Sequence, residues 1–240
     1  MILEMIDNYY NRSKYKKFNQ ILKSANEIIN ENRMIEDMYG EKCKNHPIFN
    51  FIRLLGRSTQ TEYLQSLFIE GKGPKQVKED IFINVMETIN IGGKEVKIFD
   101  LIERIDHKGS LKLGRDLILP WPWNYNRYCS ALCNFGSELH SKEWKEDKIN
   151  HCIELWLPVG VAFVHGGNHS ITAGIIQAEG EVTPYQCVKM DKYYDYIYTD
   201  GVYYREIQSC EKISKVESLE FAAIYEIGRL ILKNDIKFNL

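Results

Sequence analysis

The chain has 240 residues, six cysteines and a formal net charge of −2. That length buries roughly 70–75% of the unfolded surface, enough for one domain with a helical extension or for two small domains. The balanced charge excludes a global field toward nucleic acid or anionic membranes, no segment reaches the ~20 apolar residues of a membrane span, and MILEMIDNYYNR lacks a signal peptide's pattern, so a cytoplasmic protein with reduced thiols is expected.

Residues 1–110 read as a mainly helical N-terminal region. Tyr15, Phe18, Ile21, Leu22, Ala25, Ile28 and Ile29 recur at helical spacing between Lys and Glu. Arg12, Lys14, Lys16 and Lys17 form a small basic cluster there, read as a solvated helix face. HPIFNFIRLLGRST reads as a short helix after Pro47 that ends near Gly56. Gly71, Gly73 and Pro74 punctuate the chain, and Pro74 suits the first turn of a helix over about 75–90. INIGGKEVKIF turns at Gly92-Gly93 into a short strand, followed by a helical DLIERI.

From residue 111 to 240 the texture is that of an α/β region. Leu117–Leu119 run into Pro120-Trp121-Pro122-Trp123, where alternate prolines exclude a central strand and a helix interior. A helix over 127–134 follows, then a polar helix or surface loop over 137–150. The apolar runs 153–157 and 159–164, broken by Pro158, are two short strands or one bent strand. Ser170–Ala178 reads as a helix stopped at Gly180, and TPYQCVKM as a strand. Asp200-Gly201 signals a hairpin. Ser214-x-x-Glu217 reads as a capping box opening an amphipathic helix over 216–233. The fold class expected is therefore α/β or α+β: a helical N-terminal part, then a small mixed sheet with helices.

The chemistry concentrates in VGVAFVHGGNHSITAG, residues 159–174. Gly166 and Gly167 adopt backbone angles closed to other residues and leave room for a ligand. The helix that starts next offers unpaired N–H groups and its dipole to an anion, often phosphate. Ser170 and Thr172 add hydroxyls, Asn168 orients a ligand or caps the helix, and His169 donates or acts as acid or base near neutral pH. A second cluster joins Trp121, Trp123, Asn124 and Arg127. Arg127 forms paired hydrogen bonds to phosphate or carboxylate, and a tryptophan stacks on a base or covers the core edge. Cys129, Cys133, His140 and His151 fit no common zinc spacing, so no metal site is expected; the cofactor is left unknown.

The blocks LILPWPWNYNR, ELWLPVGVAFVHGGNHSITAGI and EFAAIYEIGRLI resemble an uncharacterised bacterial and phage family, domain of unknown function 6710, over about residues 115–235. More distantly, Pro120 to Arg127, then Val161 to Ala173, then Gly180 and the strand 182–190 resemble the order of the ParB/sulfiredoxin superfamily. That second resemblance implies a nucleotide or phosphate bound at the strand–helix junction. Ser170 stands where the superfamily pattern has Arg, and Asn168 where sulfiredoxin has its cysteine, so sulfiredoxin chemistry is not implied.

The expected function is binding of a nucleotide or phosphorylated small molecule at Trp121, Trp123, Asn124, Gly166, Gly167, Asn168, Ser170 and Thr172. Phosphoryl transfer or phosphodiester hydrolysis is the natural chemistry, with His169 as acid or base and Arg127 stabilising charge. The alternative is a non-enzymatic phage or host-defence regulatory protein with a protein partner, contacted through the tyrosine-rich stretch 193–204. Neither double-stranded DNA nor a membrane is an expected partner.

Overall fold

The computed structural model describes residues 2–72, 79–106, 109–139 and 143–239, with side chains described from residue 11 onward except at Glu79. In chain order the helices are α1 (Ile2–Tyr39), α2 (Ile48–Ile69), α3 (Tyr125–Asn134), α4 (Asn168–Gln177), α5 (Tyr193–Tyr196) and α6 (Leu219–Lys233). The strands are β1 (Thr88–Ile91), β2 (Lys94–Lys97), β3 (Glu103–Ile105), β4 (Leu111–Lys112), β5 (Leu117–Leu119), β6 (Ile153–Leu157), β7 (Val161–Val164), β8 (Glu181–Val182), β9 (Gln186–Lys189), β10 (Ile197–Thr199), β11 (Tyr203–Glu206) and β12 (Lys212–Lys215). Helices at the N-terminus followed by mixed sheets and helices make this an α+β protein.

The chain forms two compact units. Among the described residues the first comprises 2–55, 79–102 and 190–239. In it α1 buries Phe18, Ala25 and Ile29, at the seven- and four-residue steps of a helix face. The hairpin β1–β2 turns at Gly92-Gly93 as expected, and β10–β11–β12 form an antiparallel sheet. The turn at Asp200-Gly201 is held by Asp200 Oδ1, which accepts from the amides of Val202 (2.9 Å) and Tyr203 (2.8 Å). Helix α6 is buried continuously from Phe221 to Gly228. Its Glu226 accepts from Thr199 N at 2.9 Å and pairs with Arg229 Nε at 2.8 Å.

Among the described residues the second unit comprises 56–72, 103–106, 109–139 and 143–189. Its five-stranded sheet has the order β3-β9-β6-β7-β5. β3 is antiparallel to β9, β9 parallel to β6, β6 antiparallel to β7, and β7 parallel to β5. Trp156, Phe163, Ile153, Leu155 and Val161 are all buried in it. A two-stranded β4–β8 ribbon lies within the same unit.

Five local readings are corrected. Helix α2 does not end at Gly56 but runs on to Ile69. Glycine serves contact there, because a Cβ would lie 2.2 Å from Leu117 Cδ2. Of the helix expected over 75–90, Pro74 and the start lie outside the described residues; the remainder is a 3₁₀ turn, Glu79–Ile81, and then β1. Asp80 and Asn84 carboxyl and amide oxygens take the Val85 and Met86 amides, which competes with helical bonding. DLIERI is not helical: a 3₁₀ turn, Ile98–Leu101, buries Ile98 and Leu101, and β3 then pairs with β9. Ser214 lies on β12, and the cap of α6 is Ser218, whose Oγ accepts from Phe221 N at 3.2 Å. The expected stop at Gly180 falls two residues earlier, at Ala178, which caps α4 with φ +56°.

Candidate functional site

Two sequence blocks converge because β5 and β7 are adjacent and parallel, with Leu119 opposite Phe163. Both strands therefore exit at the same end of the sheet. β5 leaves through Pro120–Asn124 into α3, and β7 leaves through His165–Gly167 into α4. The N-termini of α3 and α4 are thus brought together at the carboxyl ends of two parallel strands, where open sheets commonly hold ligands.

The two exits are tied by hydrogen bonds. Trp121 N donates to Asn168 Oδ1 at 2.6 Å, and Asn124 N donates to His169 Nε2 at 3.1 Å. Asn124 Oδ1 in turn caps α3 by accepting from Arg127 N at 3.0 Å. The Trp123 ring lies edge-on to His169 with centroids 5.6 Å apart, and the Arg127 guanidinium sits 5.6 Å from the Trp123 centroid. The first bond of α4 runs from Ile171 N to Gly167 O. The amides of Asn168, His169 and Ser170 precede it and stay outside the helical ladder.

A second layer holds α4 in place. Asp147 N donates to His151 Nδ1 at 2.9 Å, so the proton of this neutral ring is on Nε2. Nε2 meets Ser170 Oγ at 2.8 Å, and Ser170 Oγ donates to Gly167 O at 3.0 Å. Trp144 stacks on His151 at 5.0 Å and donates Nε1–H to Ser170 O at 2.7 Å. Burial lowers the His151 pKa, against the opposing pull of Asp147 and Glu146.

The glycines answer to this layer. A Cβ on Gly167, which has φ +75°, would lie 2.3 Å from His151 Cδ2. A Cβ on Gly166 would lie 2.6 Å from Asn150 O. Both glycines answer to the close approach of residues 150–151.

Between α3 and α4 opens a cavity of about 590 Å³, within the usual range for small-molecule sites. Arg127, Asn168, His169 and the Gly166-Gly167 backbone line it, with Trp123 at 47% exposure. Among the described residues that line it there is no Asp or Glu. Asn168 is only 9% exposed; its Oδ1 is taken by Trp121, and its NH₂ has no partner among the described residues. Burial, and then the neighbouring Arg127 charge, lower the His169 pKa. The amide hydrogen on Nε2 requires the neutral ring, which places the His169 proton on Nδ1.

Of the residues singled out in the sequence, Trp123, Arg127, Gly166, Gly167, Asn168, His169 and Ser170 line the cavity. Trp121 and Asn124 do not; their backbone amides bond to Asn168 and His169, and Asn124 Oδ1 caps α3. Thr172 is fully buried and outside the lining, and the Ser170 hydroxyl is engaged with His151 and Gly167. Asn150, His165 and Ser130 line the cavity without having been singled out. His165 adjoins the glycine pair and was legible there; Asn150 reaches the site through the segment before β6, where Cys152 bonds to His165 and Gly166.

Among the described residues no group of three His, Cys, Asp or Glu can hold a metal. His140 lies outside those residues, and both ring nitrogens of His151 are engaged within the protein. No helix among them is long and apolar enough to cross a membrane.

Fold and site together define an α+β protein with a donor-rich crevice at the carboxyl ends of two parallel strands. The chain belongs to a family of unknown function, DUF6710, whose model matches residues 3–238. No curated protein and no solved structure matches it. None of these comparisons supports the ParB/sulfiredoxin order.

Proposed function

We propose that the protein binds a nucleotide or another phosphorylated small molecule in the α3–α4 crevice. The observation that carries this reading is the one-sided chemistry of the lining. Arg127, the Asn168 NH₂ and the His169 Nδ1–H all donate, and no carboxylate among the described lining residues competes for them. Two helix N-termini add their dipoles to the same end of the sheet. Trp123, half exposed beside Arg127, offers a face for a base.

The hydrogen-bond pattern favours binding over turnover by His169. Its lone-pair nitrogen, Nε2, already accepts from Asn124, so the ring meets a ligand as a donor rather than as a general base. Arg127 supplies the charge. Phosphoryl transfer or phosphodiester hydrolysis at this site requires a base other than His169 in its present tautomer.

The test is thermal unfolding against a panel of nucleotides and phosphate esters, with and without Mg²⁺. At least one ligand raises Tm, and Arg127→Ala and His169→Ala abolish the rise while both variants still unfold cooperatively. A panel in which nothing shifts Tm sinks the proposal.

A further inference from the structure

We propose a second site: a basic and aromatic groove between α1 and the β10–β11 turn that binds single-stranded nucleic acid. Its construction is visible in the packing of the first unit. Phe18 of α1 is buried on Gly201, where a Cβ would lie 2.5 Å from Phe18 Cγ. Glycine at the turn therefore lets the helix close onto the hairpin. Arg12, Tyr15 and Lys16 are three and four residues apart, so they share the helix face beside Phe18. With Tyr203, Arg205 and Asp200 they line a groove of about 470 Å³.

The charge of this groove is local, in a chain whose net charge is −2. The carboxylate, Asp200, is satisfied within the turn by the Val202 and Tyr203 amides and by Arg205 Nε at 2.8 Å. Arg12 and Lys16 are exposed, and Lys212 lies 4.1 Å from the Tyr203 ring centroid. None of these three cations has a carboxylate partner among the described residues. Tyr15 is 54% exposed, and Arg205 approaches the Tyr203 ring at 5.5 Å. Unpaired cations track a phosphate backbone, and the exposed Tyr15 ring stacks an unpaired base. An acidic peptide uses the cations but leaves the Tyr15 ring without a planar partner. This site shares no residue with the α3–α4 crevice.

The experiment is fluorescence anisotropy with labelled oligothymidylate and oligouridylate of about 12 nucleotides, titrated over a salt series. At least one strand binds with a Kd below about 100 μM at low salt. Arg12→Gln with Lys16→Gln weakens that binding at least about tenfold and lowers the salt slope by about 1.4, two contacts at about 0.7 each. Tyr15→Leu weakens binding and leaves the slope unchanged. Absence of binding by either strand overturns the proposal, as does binding that the double variant leaves intact in a cooperatively folded protein. Equal affinity for a polyglutamate peptide, lost in the same double variant, overturns the choice of nucleic acid.

Discussion

The backbone N–H of Asn124 donates to the imidazole Nε2 of His169 across 3.1 Å. The contact joins the start of α3 to the start of α4, and it sets what His169 presents to the crevice. An amide has only a hydrogen to give, so the ring must keep Nε2 bare and carry its proton on Nδ1. A residue type best known for exchanging protons is thereby held as a neutral hydrogen-bond donor.

If the crevice binds anions through donors alone, reversing one donor abolishes binding without disturbing the fold. Asn168→Asp keeps the oxygen that accepts from Trp121 N and replaces the NH₂ with a second carboxylate oxygen. The first turn of α4 tolerates the charge. Ligand at 100 times Kd stabilises the native state by about 2.7 kcal/mol, roughly 2–4 °C in Tm per kcal/mol at this chain length. Asn168→Asp is expected to lose that rise while its ligand-free Tm stays close to wild type. An undiminished rise in the variant rejects the donor-only reading.

Gly167→Ala is expected to destabilise by about 1–3 kcal/mol. The new Cβ meets a left-handed backbone, φ +75°, and the His151 ring at 2.3 Å. His151 cannot withdraw without losing Asp147 N and Ser170 Oγ. The check is the urea midpoint of unfolding at constant m-value.

His151 and His169 make the second unit acid-sensitive. Burial is the leading cause lowering both pKa values below the ordinary 6.5. Between that value and the lowered native one, the unfolded chain binds more protons than the native chain. Stability is therefore fully present above the ordinary histidine range and falls as pH drops through 6.5 toward the native values. Tm is expected to be lower at about pH 5.5 than at about pH 7.5, and His151→Gln is expected to flatten part of that slope. His46, lowered by burial in the first unit, acts in the same direction. An unchanged slope in the variant removes His151 from the account.

The start of α6 separates two serines. Ser218→Ala removes the side chain that caps Phe221 N and is expected to cost about 1 kcal/mol. Glu217→Ala, which deletes the exposed partner of the capping box read from the sequence, is expected to change stability by less than about 0.5 kcal/mol. Denaturant unfolding of the two variants decides which residue opens the helix.

What could be read directly were features set by neighbours along the chain. The periodic apolar positions of α1 are one, since Phe18, Ala25 and Ile29 recur on one face whatever that face meets. The Gly92-Gly93 and Asp200-Gly201 turns are two more, and the apolar strand that ends in glycines before a helix is another. Two of the misreadings share one cause. Gly56 resembles a helix stop until Leu117 is placed against it, and Ser214 resembles a cap until β12 pairs with β11. In both cases a distant partner overrode a sound local preference.

The sequence by itself determined the α+β class, the strand-to-helix junction at Gly166-Gly167 and the residue types gathered there, because short-range periodicity and turn chemistry need no long-range partner. Only the tertiary structure decided that β5 lies parallel to β7, and with it that Asn124 reaches His169 across 45 positions of chain. It also decided that Ser170 serves His151 and Gly167, that Thr172 is sealed in the core, and that Arg12 and Lys16 stand beside Tyr203. Strand pairing and the burial of distant apolar faces settle those matters, and a linear pattern carries no record of which faces meet.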